Sequence, residues 1–241
     1  MKNHFQKRIF ILGISAIIIF LSNCSSPEDS STVLSDPQSN NSRNEASYVK
    51  KEFPLIDPES INIDTLYIQV AYAINENRWV LIARSIEDDP KGLKFMIVDP
   101  KKDFKLIYRS KGAYESLTLH PTFYLPKDRK KAWIILCNLG QYESWGQELF
   151  FMKGDSVNEI AYLDIAIKEE ADSIYYESGF VLKDVSAVTS IYEDTKGIHF
   201  AFNTDSIMYF GSIDDKLDPV IAGDKTIYTY YSGKLFFELE E

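Results

Sequence analysis

Two cysteines and three histidines hold the widest chemical repertoire in this chain of 241 residues. Metal ligation needs such residues at close, regular spacing, and neither His-Glu-x-x-His nor paired cysteines occur, so no metal site is expected. His120 precedes Pro121 in a β-prone run, and His199 alternates with Ile198, Phe200 and Phe202; both read as ordinary strand residues. Cys137 ends the apolar run Ala132-Trp133-Ile134-Ile135-Leu136-Cys137, where a thiol behaves as a small hydrophobe. A nucleophilic cysteine wants an electropositive, partly exposed setting instead.

Other reaction chemistries find no constellation. The nearest approach to a Gly-x-Ser-x-Gly nucleophile turn is Gly140-Gln141-Tyr142-Glu143-Ser144-Trp145-Gly146, whose spacing is wrong for it. No Gly-x-x-x-x-Gly-Lys-Ser/Thr or Gly-x-Gly-x-x-Gly loop cradles a phosphate, so no nucleotide cofactor is expected. Glu87-Asp88-Asp89 and Asp214-Asp215-x-x-Asp218 are acidic clusters in turn-like segments without the spacing of a helix–loop–helix calcium site. A pair of carboxylates across a cleft would suit glycoside hydrolysis, yet among 36 acids no pair stands out. Tyr142 and Trp145, between glycines and beside Gln141 and Glu143, are the candidate ligand-binding residues. Aromatic and amide groups on a loop are the materials of sugar or peptide recognition. The competing expectation is that Trp145 folds back as a lid on the core.

The elements that must position these residues read as short β-prone runs separated by turns. Leu66, Ile68, Val70, Tyr72 and Ile74 alternate on one face. Asn75-Glu76-Asn77, Asp89-Pro90-Lys91-Gly92 and Asp99-Pro100 then punctuate runs at Trp79–Ile86, Leu93–Val98 and Phe104–Arg109, a four-stranded meander. Lys131–Asn138 reads as a buried strand, and Trp145–Met152 with Val157–Leu163 as a hairpin. Val185–Tyr192, Ile198–Asn203 and Ile207–Ile213 follow, and Thr226–Tyr231 with Lys234–Leu239 close the chain around Ser232-Gly233. The segment Ile165–Ile174, containing Ala166-Ile167-Lys168-Glu169-Glu170-Ala171, is expected to be a short helix or a loop. The fold class expected is all-β: antiparallel meanders forming a β-sandwich or a small propeller-like sheet stack.

Ahead of these strands stand Lys2, Lys7 and Arg8, then thirteen uncharged residues from Ile9 to Leu21, then Leu21-Ser22-Asn23-Cys24. A basic start and an apolar run too short for a bilayer core of ~30 Å have the layout of a secretory signal. The segment 1–24 resembles the signal and lipobox of bacterial lipoproteins, with Asn23 where Gly, Ala or Ser is usual. That resemblance implies cleavage after residue 23 and acylation of Cys24, with chains such as palmitate holding the protein to a membrane. It also implies a place in the cell envelope, on the outer membrane. Residues 25–47 are Ser-, Asn-, Asp- and Pro-rich, a composition that cannot offset chain entropy by burial, and are expected to be a disordered tether. Glu28-Asp29 resembles the acidic export signals of some Bacteroidetes-type lipoproteins. The expected organisation is therefore signal 1–23, lipidated Cys24 and linker 24–47, and one β domain over 48–241.

Loss of residues 1–23 removes three basic residues, leaving 23 Lys and Arg against 36 Asp and Glu, a net charge of −13. Such a surface repels phosphate backbones, so nucleic acid is not an expected partner. Anchoring is expected to come from the lipid rather than from the protein face. The function expected is a lipid-anchored extracytoplasmic binding or interaction module with a protein or glycan partner. The alternatives are an extracytoplasmic hydrolase acting on glycan or peptide and a structural accessory subunit of an envelope complex.

Overall fold

Alternating apolar residues between Tyr48 and Leu239 need two-sided cover, and the chain supplies it by stacking sheets. The computed structural model describes residues 45–86, 92–113, 116–172, 178–211 and 220–239. The signal-like segment, Cys24, most of the polar tether and the acidic clusters at 87–89 and 214–218 lie outside them.

The first sheet is a meander of β2 (Leu55–Ile56), β3 (Leu66–Asn75), β4 (Arg78–Ser85), β5 (Lys94–Asp99) and β6 (Lys105–Arg109), each antiparallel to the next. The second runs β1 (Tyr48–Lys51), β7 (Thr118–Pro126), β8 (Trp133–Gly140), β9 (Ser144–Lys153) and β10 (Ser156–Leu163). The third contains β11 (Ile165–Glu170), β12 (Phe180–Lys183), β15 (Ser206–Tyr209) and β16 (Val220–Ala222), in the order β12-β11-β15-β16. The fourth is β13 (Thr189–Asp194), β14 (Gly197–Phe202), β17 (Thr226–Tyr231) and β18 (Lys234–Leu239). All pairings are antiparallel, so the chain is an all-β stack of sheets.

The second sheet is the middle layer, because both of its faces are buried. Ile135, Cys137, Leu139 and Phe150 pack with Val80, Ile82, Phe95 and Ile97 of the first sheet. On the opposite face Ile134, Leu136 and Leu149 meet Ile165 and Ile207 of the third sheet and Phe200 and Tyr228 of the fourth. A strand covered on both faces reads as a continuous apolar run, as Trp133 to Cys137 does. Phe95 stacks on Phe150 at 5.0 Å, and Phe151 meets Tyr230 edge-on at 5.1 Å, so aromatic contacts join the layers on both sides.

Three local expectations change. Ile165–Glu170 is a strand and not a helix: β11 is paired by β12 on one side and β15 on the other, and that pairing overrides its helix propensity. Val185–Ala187 is a single 3-10 turn capped by the Asp184 carboxylate, so the strand starts at Thr189. The connection expected between Asn138 and Trp145 shrinks to Gln141–Glu143, because β8 runs to Gly140 and β9 starts at Ser144. Beyond the expected runs, β7 tolerates Pro121 because β1 pairs only with Phe123–Pro126, leaving an edge beside the proline.

Candidate functional site

Three hairpin turns converge at one end of the first and second sheets. They are Asn75–Arg78 between β3 and β4, Lys127–Lys131 between β7 and β8, and Lys153–Asp155 between β9 and β10. Their own side chains shape them. Asn75 Oδ1 accepts the Asn77 N–H at 2.9 Å, and Asp128 Oδ1 accepts the Lys130 N–H at 3.0 Å. Gly154 takes φ 62° in the third turn, a conformation that costs glycine nothing.

Between them lies a cleft of ≈ 160 Å³. Ile74, Trp133 and Met152 form its apolar part, and Trp133 is held by stacking on Phe53 at 5.6 Å. Arg78, Arg129, Lys131 and Lys153 also line it, and no acid does among the described residues. Arg78 pairs with Asp155, and Lys131 with Glu193 at 2.8 Å. Arg129 and Lys153 have no carboxylate partner among the described residues. A cationic cleft on a chain of formal charge −10 is a local inversion of sign. Within a Debye length of ~8 Å such a cluster outweighs the distant surface acids.

The residues nominated from sequence do not assemble into one site. Tyr142 is 93 % exposed at the tip of the β8–β9 turn. Trp145 is on β9, half-buried against the core between the first and second sheets, and its carbonyl accepts the Tyr162 hydroxyl at 2.6 Å. His120 is exposed on β7. His199 is buried in the fourth sheet, with Nδ1 3.0 Å from Thr229 Oγ1 and Nε2 2.8 Å from Asp194 Oδ1. Among the described residues no group of His, Cys, Asp or Glu is placed to hold a metal ion.

Two polar residues just after Trp145, the fully buried Gln147 and the partly buried Glu148, were not singled out from sequence. Gln147 Nε2 donates to Asn138 Oδ1 at 2.7 Å and to Asp184 Oδ1 at 3.0 Å, tying the middle sheet to the 3-10 turn. Its Oε1 has no partner. Glu148, on the next residue, faces the other core. Burial, and then the charge of Glu159, push its carboxyl up to about 7 against the pull of Lys111. Its Oε2 is sealed from solvent and unpaired.

Comparison with protein-family models, curated proteins and solved structures finds no match for the chain. The basic run Lys127-Asp128-Arg129-Lys130-Lys131 is a local signal that was not singled out from sequence. What no periodicity could reveal is that Arg78 and Lys153, ~50 and ~25 residues away, share its cleft.

Proposed function

We propose that this chain is a lipid-anchored extracytoplasmic binding module, held to the outer membrane through acylated Cys24, with the three-turn cleft as its ligand site. The observation that carries the binding half of this reading is the cleft itself. It is a concave site with an apolar wall, a stacked aromatic and convergent polar groups on turns fixed by a rigid sheet scaffold. The anchoring half rests on the basic start, the apolar run and Cys24. Position favours binding over hydrolysis as the role of the cleft. Glu148 has the raised carboxyl of a general acid, but a proton donor must reach the bond it serves, and Glu148 does not line the cleft.

Two measurements test the reading. Cys24→Ser should move the protein out of the membrane fraction or arrest it at the mass of the unprocessed chain; unchanged fractionation and mass end the anchoring half. A thermal-shift survey of the acylated protein against anionic, neutral and cationic small molecules should raise the midpoint with at least one class. No shift with any class ends the binding half.

A further inference from the structure

We infer that the cleft between the three turns is a site for a phosphate monoester, a doubly charged tetrahedral oxyanion on a short organic stem. This rests on the binding reading above and names the ligand class of the same site.

Charge sets the class. Of the four cations lining the cleft, Arg78 and Lys131 are already neutralised by Asp155 and Glu193. Arg129 and Lys153 are left over, one from each of two different turns. A carboxylate or a phosphodiester would balance only one of them. A phosphate monoester, at −1.5 to −2 near neutral pH, balances both.

Shape agrees with charge. The cations come from separate turns and meet around one concavity. Donors fixed on different elements suit a tetrahedral group, which presents oxygens in several directions. Arg78 and Arg129 offer forked donors that can take two oxygens each, and Lys131 and Lys153 act as point charges. A water occupies about 30 Å³ of liquid, so ≈ 160 Å³ holds a phosphate together with a stem of a few atoms. That stem has Trp133, Ile74 and Met152 to lie against.

The position of the cleft leaves two sources for such a group. The chain enters the fold beside it: Lys127 N donates to Ser47 O at 2.9 Å, and Lys127 Nζ pairs with Glu45. Lys131 lines both this cleft and the adjoining groove formed by Glu45, Ala46 and Ser47. Cys24 lies 21 residues before Glu45 in the sequence, and a chain of that length reaches at most roughly 75 Å. Both a soluble phosphate ester and a phosphomonoester headgroup of the anchoring membrane therefore come within reach.

The experiment is calorimetric titration of the acylated protein, in non-ionic detergent at fixed ionic strength, with glycerol 3-phosphate and with dimethyl phosphate. The monoester should bind saturably and several-fold tighter than the diester. The double variant Arg129→Gln/Lys153→Gln should weaken it roughly tenfold or more. Lys111→Gln, outside the cleft, should leave it unchanged. Arg129 and Lys153 are both exposed, so the thermal midpoint of the double variant should match wild type; the two single variants, each weakening binding by part of that factor, give the same reading independently.

The source is read from vesicles. If a lipid phosphate is the natural occupant, protein reconstituted into phosphatidylcholine containing phosphatidic acid should need about ten times more glycerol 3-phosphate than protein in phosphatidylcholine alone. Equal titrations assign a soluble ester. No saturable heat with glycerol 3-phosphate, or binding untouched by the double variant, overturns the inference. If the thermal-shift survey still responds to another class of ligand, the binding reading survives that result; if it responds to none, both fall.

Discussion

Cys137 and Glu148 stand opposite each other in the β8–β9 ladder, a thiol and a carboxyl whose charged forms burial disfavours together. Glu148 also raises the cost of charging Cys137, its carboxylate being the second cause, after burial, of the upward shift there.

Glu148 should make stability fall between mildly acid and neutral pH. The folded protein holds its proton up to about pH 7, whereas the ordinary value is 4.5, so the folded state binds more protons across that window. Stability is then full below 4.5, declines as pH rises through the window and levels off above 7. Glu148→Gln removes the ionisation and should flatten this decline. Its thermal midpoint should exceed wild type by a few degrees at pH 8 and approach it at pH 4.5, as scanning calorimetry would show. Parallel profiles for the two proteins would contradict the assignment.

Cys137 should be silent to thiol reagents in the folded protein. The side chain is fully buried and its thiol is pushed well up by desolvation, so the reactive thiolate is scarce and inaccessible. In the Cys24→Ser protein, labelling by iodoacetamide should proceed only at the rate of unfolding and become rapid in guanidinium chloride. Rapid labelling in native buffer would mean that the middle sheet opens locally.

Which of these features the sequence could reveal depends on how local they are. The β3–β6 meander was legible because Asn75-Glu76-Asn77 and Asp99-Pro100 carry their own turn chemistry. The terminal hairpin was legible for the same reason, with Ser232 and Gly233 both at positive φ. β11 was not, because Ala166 to Ala171 suits a helix and only its partners β12 and β15 decide otherwise. Nor could local pattern place β1 against β7, some 75 residues on in the chain. The candidate site fails the same test: its cations belong to three turns that meet only when two sheets stack.

Asp184 should be worth more than its surface position suggests. Its two oxygens accept from Ser186 N at 2.7 Å, Ser186 Oγ at 2.7 Å and Gln147 Nε2 at 3.0 Å. Asp184→Ala leaves the fully buried Gln147 amide short of one acceptor and uncaps the 3-10 turn. Unpaired buried groups cost ~1–3 kcal/mol each and a lost cap ~1, so a loss of about 2–4 kcal/mol is expected in denaturant titration. Asp184→Asn retains one oxygen and should lose about half of that. Equal losses from the two variants would show that charge, not hydrogen bonding, is what this residue contributes.

Tyr142 and Trp145, three residues apart, should respond in opposite ways to truncation. Tyr142 is 93 % exposed, and Tyr142→Ala should change stability by no more than ~0.5 kcal/mol. Trp145 packs on the core shared by the first two sheets without being fully enclosed. A fully buried Trp→Ala costs ~3–5 kcal/mol, and a half-buried one should cost roughly 2. Trp145→Ala also leaves in place the backbone carbonyl that holds the Tyr162 hydroxyl, so the loss reports packing and not that hydrogen bond. Denaturant midpoints of the two variants separate the cases, because a difference of ~1.5 kcal/mol exceeds the error of the midpoint comparison. A Trp145→Ala protein as stable as Tyr142→Ala would show that the indole contributes nothing to the core, and would make the β8–β9 turn a rival to the cationic cleft as the place where a ligand binds.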